Sequence, residues 1–232
     1  MPFDPSDSSK LLRWSVSIKE SSEKASKSWV DFRGKRQHGM FLTFVDEIKN
    51  ICTYAWLIAR TIDMDPVPFK AAEGDVESFQ LSAMGGPSSI KSYSPSAMGK
   101  VSLSLYDVRT ASKELVEDAR ELRDASGYDF MALGADLGII FGSLVRVAKV
   151  LGINTKGLIK ARNTILAHFK VVTDRIMSEV PEGGPANEVP AESIVFASWA
   201  KRASIEARRD PSKAIAMLDG LLHATENRSW RS

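Results

Sequence analysis

The chain has 232 residues, with 31 Lys and Arg against 29 Asp and Glu, and a formal net charge of +2. Hydrophobic residues make up 44% of it, which is typical of a globular protein and excludes a disordered acidic region or a histone-like tail. The single cysteine, Cys52, excludes an internal disulfide and a cysteine-based zinc site, so we expect a reducing compartment. The N-terminal residues are acidic where a secretory signal is basic. We therefore expect a cytoplasmic protein, or a virion component if the source is viral.

The pattern of apolar residues predicts a mainly α fold, a single helical domain of about six to seven helices. Residues 1–32 are expected to form an N-terminal arm and a short helix, and residues 33–180 a helical core with a long loop at 63–101. Two glycines and several prolines mark 181–190 as a linker. Residues 191–232 are expected to form C-terminal helices and a tail.

The N-terminal arm is predicted from an alternating pattern. Leu12, Trp14, Val16 and Ile18 are separated by polar residues, which is the spacing of a strand or an extended arm. One isolated strand is not stable, so this arm must pair with a hairpin, lie along the body or cross to a neighbouring copy. With Trp230 in the polar tail, these four residues are our candidate oligomerisation residues.

Two apolar stretches, 41–62 and 131–152, are interrupted by charged residues and predict core helices, not membrane spans. Between them, prolines and glycines remove the periodicity from 63 to about 101, which predicts the long loop. The loop allows a short β-hairpin formed by 78–81 and 90–93. Because long loops in compact domains are usually functional or disordered, we treat this one as a candidate contact surface.

No motif in the sequence predicts catalysis. His38, His168 and His223 are widely separated, and none has the spacing of a zinc site. Asp63 and Asp65 could pair around a divalent cation, but solvated loop acids are the simpler interpretation. We therefore expect no enzyme, no metal and no cofactor. The enzyme alternative stays open only at this pair of acids.

Three glycines at intervals of four, Gly134, Gly138 and Gly142, lie in the second apolar stretch. Each costs a helix interior about 1 kcal/mol relative to alanine. Three on one helix face predict that a neighbouring backbone approaches closely there.

Charge is unevenly distributed along the chain. Residues 1–40 carry eight Lys or Arg and five acids, whereas 41–130 carry nine and fourteen. Residues 131–180 carry seven and three, and 181–232 carry seven of each. The sequence therefore has two basic segments separated by an acidic one.

Within the second basic segment, Lys156, Lys160 and Lys170 share one face of an amphipathic helix. Such a stripe is most often a solvated helix face. If the fold brings the two basic segments together, they form a groove for a sugar–phosphate backbone. The candidate nucleic-acid-binding residues are Arg33, Lys35, Arg36, His38, Arg146, Lys149, Lys156, Lys160, Arg162 and Lys170.

These features predict a non-enzymatic structural assembly protein that binds single-stranded RNA without regard to sequence. The plan is that of a viral coat or nucleocapsid protein, in which homo-oligomers or filaments form by exchange of terminal arms. Trp14, Trp29 and Tyr93 are the candidates for stacking on bases. The alternative is a helical adaptor or matrix-like protein whose basic patches bind a protein or an anionic membrane surface.

Overall fold

The computed structural model of the chain describes the backbone of residues 5–86, 93–122 and 129–179, and side chains within 7–86, 93–122 and 133–169. The chain divides into two compact units, residues 1–170 and 171–232. The fold described here is that of the first unit. Of the second unit, the structure describes only the end of the last helix below.

The described residues form six helices and no strand, so the prediction of a mainly α fold is confirmed. The helices are α1 Pro5–Lys35, α2 His38–Thr61, α3 Val67–Ala83, α4 Pro95–Glu121, α5 Asp129–Leu151 and α6 Lys156–Glu179.

Helix α1 packs against both α2 and α4. The rings of Trp14 in α1 and Tyr54 in α2 stack with their centroids 6.2 Å apart. On the other side, the hydroxyls of Ser22 in α1 and Ser112 in α4 lie 2.8 Å apart at a buried contact. Helix α3 packs on α2, and α5 packs on α4. The order across the bundle is therefore α3, α2, α1, α4, α5.

The sixth helix joins the two ends of this row. Gly157 at the start of α6 lies against the backbone of Ala71 and Ala72 in α3. Further along α6, the ring of Phe169 lies over Gly134 in α5. Because α6 contacts both α3 and α5, the six helices enclose one apolar core.

The centre of the core at the α1–α2 turn is Trp29. Its ring lies 5.0 Å from Phe44 and 5.5 Å from Phe32, measured between centroids. Tyr93, just before α4, meets Trp29 edge-on at 6.5 Å and donates from its hydroxyl to the Leu151 carbonyl, 3.3 Å away. Burial raises the pKa of Tyr93 to about 12. Residues from α1, α2, α4 and α5 thus meet at one end of the bundle.

The prediction of an extended N-terminal arm is wrong, because residues 5–35 form the long helix α1. The buried stripe of this helix contains small polar residues, such as Ser15 and Ser22, between apolar ones, such as Leu11 and Ile18. When these serines are counted as polar, the helical period of the buried stripe is lost and only an alternation of apolar and polar residues remains. Ser22 satisfies its hydroxyl inside the helix by donating to the Lys19 carbonyl at 2.7 Å.

The prediction of a long loop over 63–101 is also wrong, because α3 and the start of α4 occupy most of it. Three of the prolines that suggested a loop, Pro66, Pro68 and Pro95, stand at helix starts, where the missing N–H has no helical partner. Pro95 is in the first turn of α4, and the Ser94 hydroxyl caps that helix by accepting from the Ala97 amide at 3.2 Å. Residues 78–81 are helical, so the hairpin has no first strand; 87–92 lie outside the described residues.

The prediction that a neighbouring backbone approaches the glycine ladder is wrong at Gly134. A Cβ there would meet the ring of Phe169, so the partner is a side chain and not a backbone. At Gly142 the nearest atom, the Cδ of Arg162, would be 4.0 Å away, which is an ordinary contact. The closest backbone approach is instead at Gly157, which the sequence did not single out.

Three of the predictions lie outside the described residues. They are the linker at 181–190, the C-terminal helices and tail at 191–232, and the contact assigned to Trp230.

We predict that Gly157→Ala destabilises the protein by about 1–3 kcal/mol. A Cβ at this position would lie 2.7 Å from the Ala72 Cα, so α6 must move away from α3. The free energy of unfolding, from a urea titration followed by circular dichroism, measures the effect.

Gly74→Ala is the matched control, since Gly74 is also inside a helix but has no atom within 4 Å of an added Cβ. We expect this variant to be as stable as the parent or more stable by up to about 1 kcal/mol. Equal effects of the two substitutions would contradict the close α3–α6 contact.

Candidate nucleic-acid interface

The first cation of the interface, Arg33, belongs to α1 and is bonded to α4. Nη1 of Arg33 in α1 donates to the Ser102 hydroxyl in α4 at 2.9 Å. The same hydroxyl accepts from the indole Nε1 of Trp29 at 3.1 Å. An exposed guanidinium is therefore held beside α4 by a hydroxyl that is also bonded to the buried core.

Arg146 of α5 lies on the opposite flank of α4. Its Nη2 is 3.2 Å from Oδ2 of Asp107 in α4 and 2.7 Å from the Ser143 hydroxyl. The Asp107 side chain is only 5% exposed, whereas that of Arg146 is 46% exposed. The nearly buried carboxylate thus orients the guanidinium, and of these two charged groups it is the guanidinium that faces solvent.

Helix α4 itself contributes two exposed cations, and Asp107 is the one acid between them in sequence. Lys100 and Arg109 are exposed, and the acids Glu114 and Glu117 lie in the second half of the helix. Arg109 places its guanidinium carbon 6.0 Å from the centre of the Tyr106 ring. Arg33 from the first basic segment and Arg146 from the second thus lie on opposite flanks of α4.

Helix α6, which contacts α5, carries further cations of the predicted set. Lys156, Lys160 and Asn163 are exposed, so the part of the predicted lysine stripe that the structure describes faces solvent. Arg162 lies beside Gly142 of α5, which brings the two helices into contact at this point. Lys170 also falls on α6, but its side chain is outside the described residues.

Positive charge is concentrated over much of α5 and α6, although Arg146 is paired with Asp107 of α4. Residues 137–173 contain six Lys or Arg and no Asp or Glu. We call the following set the basic face: Arg33, Lys100, Arg109, Arg146, Lys149, Lys156, Lys160 and Arg162. It crosses four consecutive helices of the bundle, α1, α4, α5 and α6.

Three other candidates, Lys35, Arg36 and His38, lie at the turn from α1 to α2, on the side of α1 away from α5. Arg36 has a φ of 54° and stands 5.8 Å from the Phe32 ring. Nε2 of His38 is 2.8 Å from the Ala83 carbonyl oxygen at the end of α3. His38 therefore fastens α3 to this turn, and the predicted set divides into a basic face and a separate corner.

The N-terminus of α6 is already occupied by an acid of this chain. The Asp75 carboxylate in α3 accepts from the Gly157 amide at 2.9 Å and from the Asn154 side chain at 2.8 Å. The Asn154 side chain in turn accepts from the Lys156 amide at 3.1 Å. These bonds satisfy the first amides of the helix, so the lysine side chains, and not the helix end, present positive charge here.

The candidate oligomerisation residues of α1 pack within their own chain. Ile18 is fully buried, and Leu12 and Trp14 pack against the core. Val16 is half-buried in the same helix. They form part of the α1 helix, so this segment is not an arm available for exchange.

The aromatic residues first considered for stacking are occupied in the same way, since Trp14 stacks on Tyr54 while Trp29 and Tyr93 are buried. Sequence reasoning missed Tyr106, which is exposed on α4 within the basic face. Leu103 of the same helix is exposed as well. The available signal was the spacing of Lys100, Leu103, Tyr106 and Arg109, three residues apart along one helix.

The described residues were also compared with the requirements of a membrane span and a metal site. None of their helices is long and apolar enough to cross a bilayer. No three His, Cys, Asp or Glu side chains among them come together as metal ligands. Oδ1 of Asp65 accepts from the Val67 amide at 3.0 Å, which is the bond of a helix-starting turn.

Similarity assigns no function to the chain. Comparisons with protein families, with curated proteins and with solved structures find no match for it. The charged and aromatic side chains, through their placement and exposure, are the features of this chain that bear on its function.

We predict that acid destabilises the protein partly through His168 of α6. Burial lowers the pKa of this imidazole, and the Asp63 carboxylate, which acts in the opposite direction, does not cancel the effect. The fold thus favours the neutral ring, whose contribution to stability is complete above the ordinary pKa of about 6.5 and is lost as the pH falls through the lower pKa of the folded state.

The measurement is the urea midpoint at about pH 7.5 and about pH 5 for the parent chain and for His168→Gln. The parent should lose more stability between these pH values than the variant, which cannot titrate at this position. An equal loss in both proteins would show that His168 does not contribute.

Proposed function

We propose that this protein binds single-stranded nucleic acid, RNA in the first instance, through the basic face and without regard to base sequence. The observation that supports the proposal is the joining of the two basic segments across α4. Arg33 contacts one flank of that helix and Arg146 the other. Phosphate groups are the ligands that such a row of exposed Arg and Lys side chains suits best.

The face has the size of a short binding site. The arginines on the two flanks of α4 come from α1 and α5, and three neighbouring helices packed about 8–10 Å apart span about 20 Å. Sites of a few nucleotides to about sixteen are usual for proteins that follow a single-stranded backbone. One copy therefore covers a short stretch, and many copies are needed to cover a long strand.

This requirement fits a structural protein of the coat or nucleocapsid type, which acts without catalysis in the cytoplasm or in a virion. The arm exchange expected from the sequence is not part of the proposal, because Ile18 and its neighbours are buried in α1. Copies would instead be arranged by the strand that they share. Contacts from 191–232, including Trp230, remain predictions.

The test is a charge reversal on the basic face, with Lys149, Lys156 and Lys160 changed to Glu in one variant. All three side chains are exposed, so the fold should be retained. We expect affinity for a fluorescent single-stranded RNA of about 12 nucleotides to fall about 10- to 100-fold, measured by anisotropy. The slope of log K against log salt should flatten by about 2, since each lost phosphate contact accounts for about 0.7.

Lys10, Arg13 and Lys24 changed together to Glu form the matched control. They are exposed on α1 outside the basic face, and their reversal changes the net charge by the same amount. This variant should keep its affinity within about threefold of the parent. Equal losses in the two variants would show that total charge, and not the basic face, governs binding.

Vesicles containing anionic lipid are the second probe, because they present phosphate on a membrane surface. We expect weaker binding to them than to RNA at the same salt concentration. Binding to vesicles with none to RNA would contradict the proposal and favour the matrix-like alternative.

A further inference from the structure

Three exposed apolar side chains lie on the surface formed by α1 and α4. They are Val30, 62% exposed, Leu103, 56% exposed, and Tyr106, 43% exposed. Val30 is one turn before Arg33 in α1, and the other two lie in α4 between Lys100 and Arg109 in sequence. Apolar residues in the middle of a cationic surface suit a ligand that is itself part charged and part apolar.

The hydrogen bonds place Tyr106 and Leu103 on the two flanks of α4 that the arginines contact. Ser102, which accepts from Arg33, precedes Tyr106 by one helical turn, so these two residues share one flank of α4. Leu103 precedes Asp107, the partner of Arg146, by the same interval and shares the other flank. The two guanidinium groups thus contact opposite flanks of α4, and Tyr106 and Leu103 each share a flank with one of their partners, Ser102 and Asp107.

The tyrosine ring also has a cation beside it. The guanidinium carbon of Arg109 is 6.0 Å from its centroid, within the range of a cation–π contact. An aromatic ring and an arginine plane side by side are the two kinds of surface on which unstacked bases are commonly found.

We propose that Tyr106 stacks on a nucleic-acid base while Arg33 and Arg146 bind phosphates on either side of it. This inference rests on the proposed function and specifies its ligand, a strand with accessible bases. In a duplex the base faces are covered by their neighbours, so the basic face alone would contact it. A protein partner fits less well, because three apolar residues surrounded by cations form too small and too charged a core for a stable interface.

The experiment compares Tyr106→Ala and Tyr106→Phe on two single-stranded probes of equal length and charge. One is an RNA of about 12 uridines, and the other has the same backbone with abasic sugars. Tyr106→Ala should weaken binding to the uridine probe about 5- to 150-fold, which is the usual effect of losing one base–aromatic stack. Tyr106→Phe should bind like the parent, because the stacking ring is kept.

On the abasic probe, the parent and Tyr106→Ala should bind equally, since only phosphates are left to contact. Leu81→Ala is the matched control for loss of an apolar side chain. Leu81 is 63% exposed but lies in α3, away from the basic face, and its removal should not change binding to either probe.

The outcomes separate this inference from the function on which it rests. If Tyr106→Ala binds uridine RNA as the parent does, or loses affinity equally for both probes, stacking by Tyr106 is wrong while backbone binding stands. If the parent itself binds neither probe, the proposed function is wrong. A parent that binds uridine RNA no more tightly than the abasic strand would also overturn the stacking role.

Discussion

A single hydroxyl group connects the core of this protein to its charged surface. The Ser102 oxygen accepts from the buried Trp29 indole at 3.1 Å and from the exposed Arg33 guanidinium at 2.9 Å, and donates to the Met98 carbonyl at 3.1 Å. Trp29 in turn packs among the aromatic rings where α1, α2 and the start of α4 meet. The position of Arg33 is therefore set by core packing, which is the more costly arrangement to disturb.

The second arginine, Arg146, is also oriented by a group that lies almost out of contact with solvent. A nearly buried carboxylate, Asp107, directs the Arg146 guanidinium outward from the α4–α5 contact. The carboxylate and the Ser143 hydroxyl together hold the guanidinium in this direction. Helix α4 therefore holds one arginine in position on each flank, and the lysines of α5 and α6 add further exposed cations. The proposed function follows from this arrangement and not from the small net charge.

Much of the fold and part of the site could be predicted from the sequence, and the failures have physical causes. Helices α2, α5 and α6 were found because their buried stripes are made of large apolar residues. Helix α1 was missed because serines such as Ser15 and Ser22 are buried in its stripe, and α3 because its prolines start a helix. The lysine stripe of α6 was visible from spacing alone. The separation of His38 from Arg33, and the exposure of Tyr106, depend on tertiary contacts that no local pattern encodes.

Photo-cross-linking of the full chain to a thiouridine-containing single-stranded RNA, followed by peptide mapping, tests most directly whether the cations of four helices form one interface. We expect cross-links in the first half of α4 together with the segment from the end of α5 to the start of α6. Cross-links confined to α2 and α3, or to residues outside α1, α4, α5 and α6, would contradict the basic face as the binding surface.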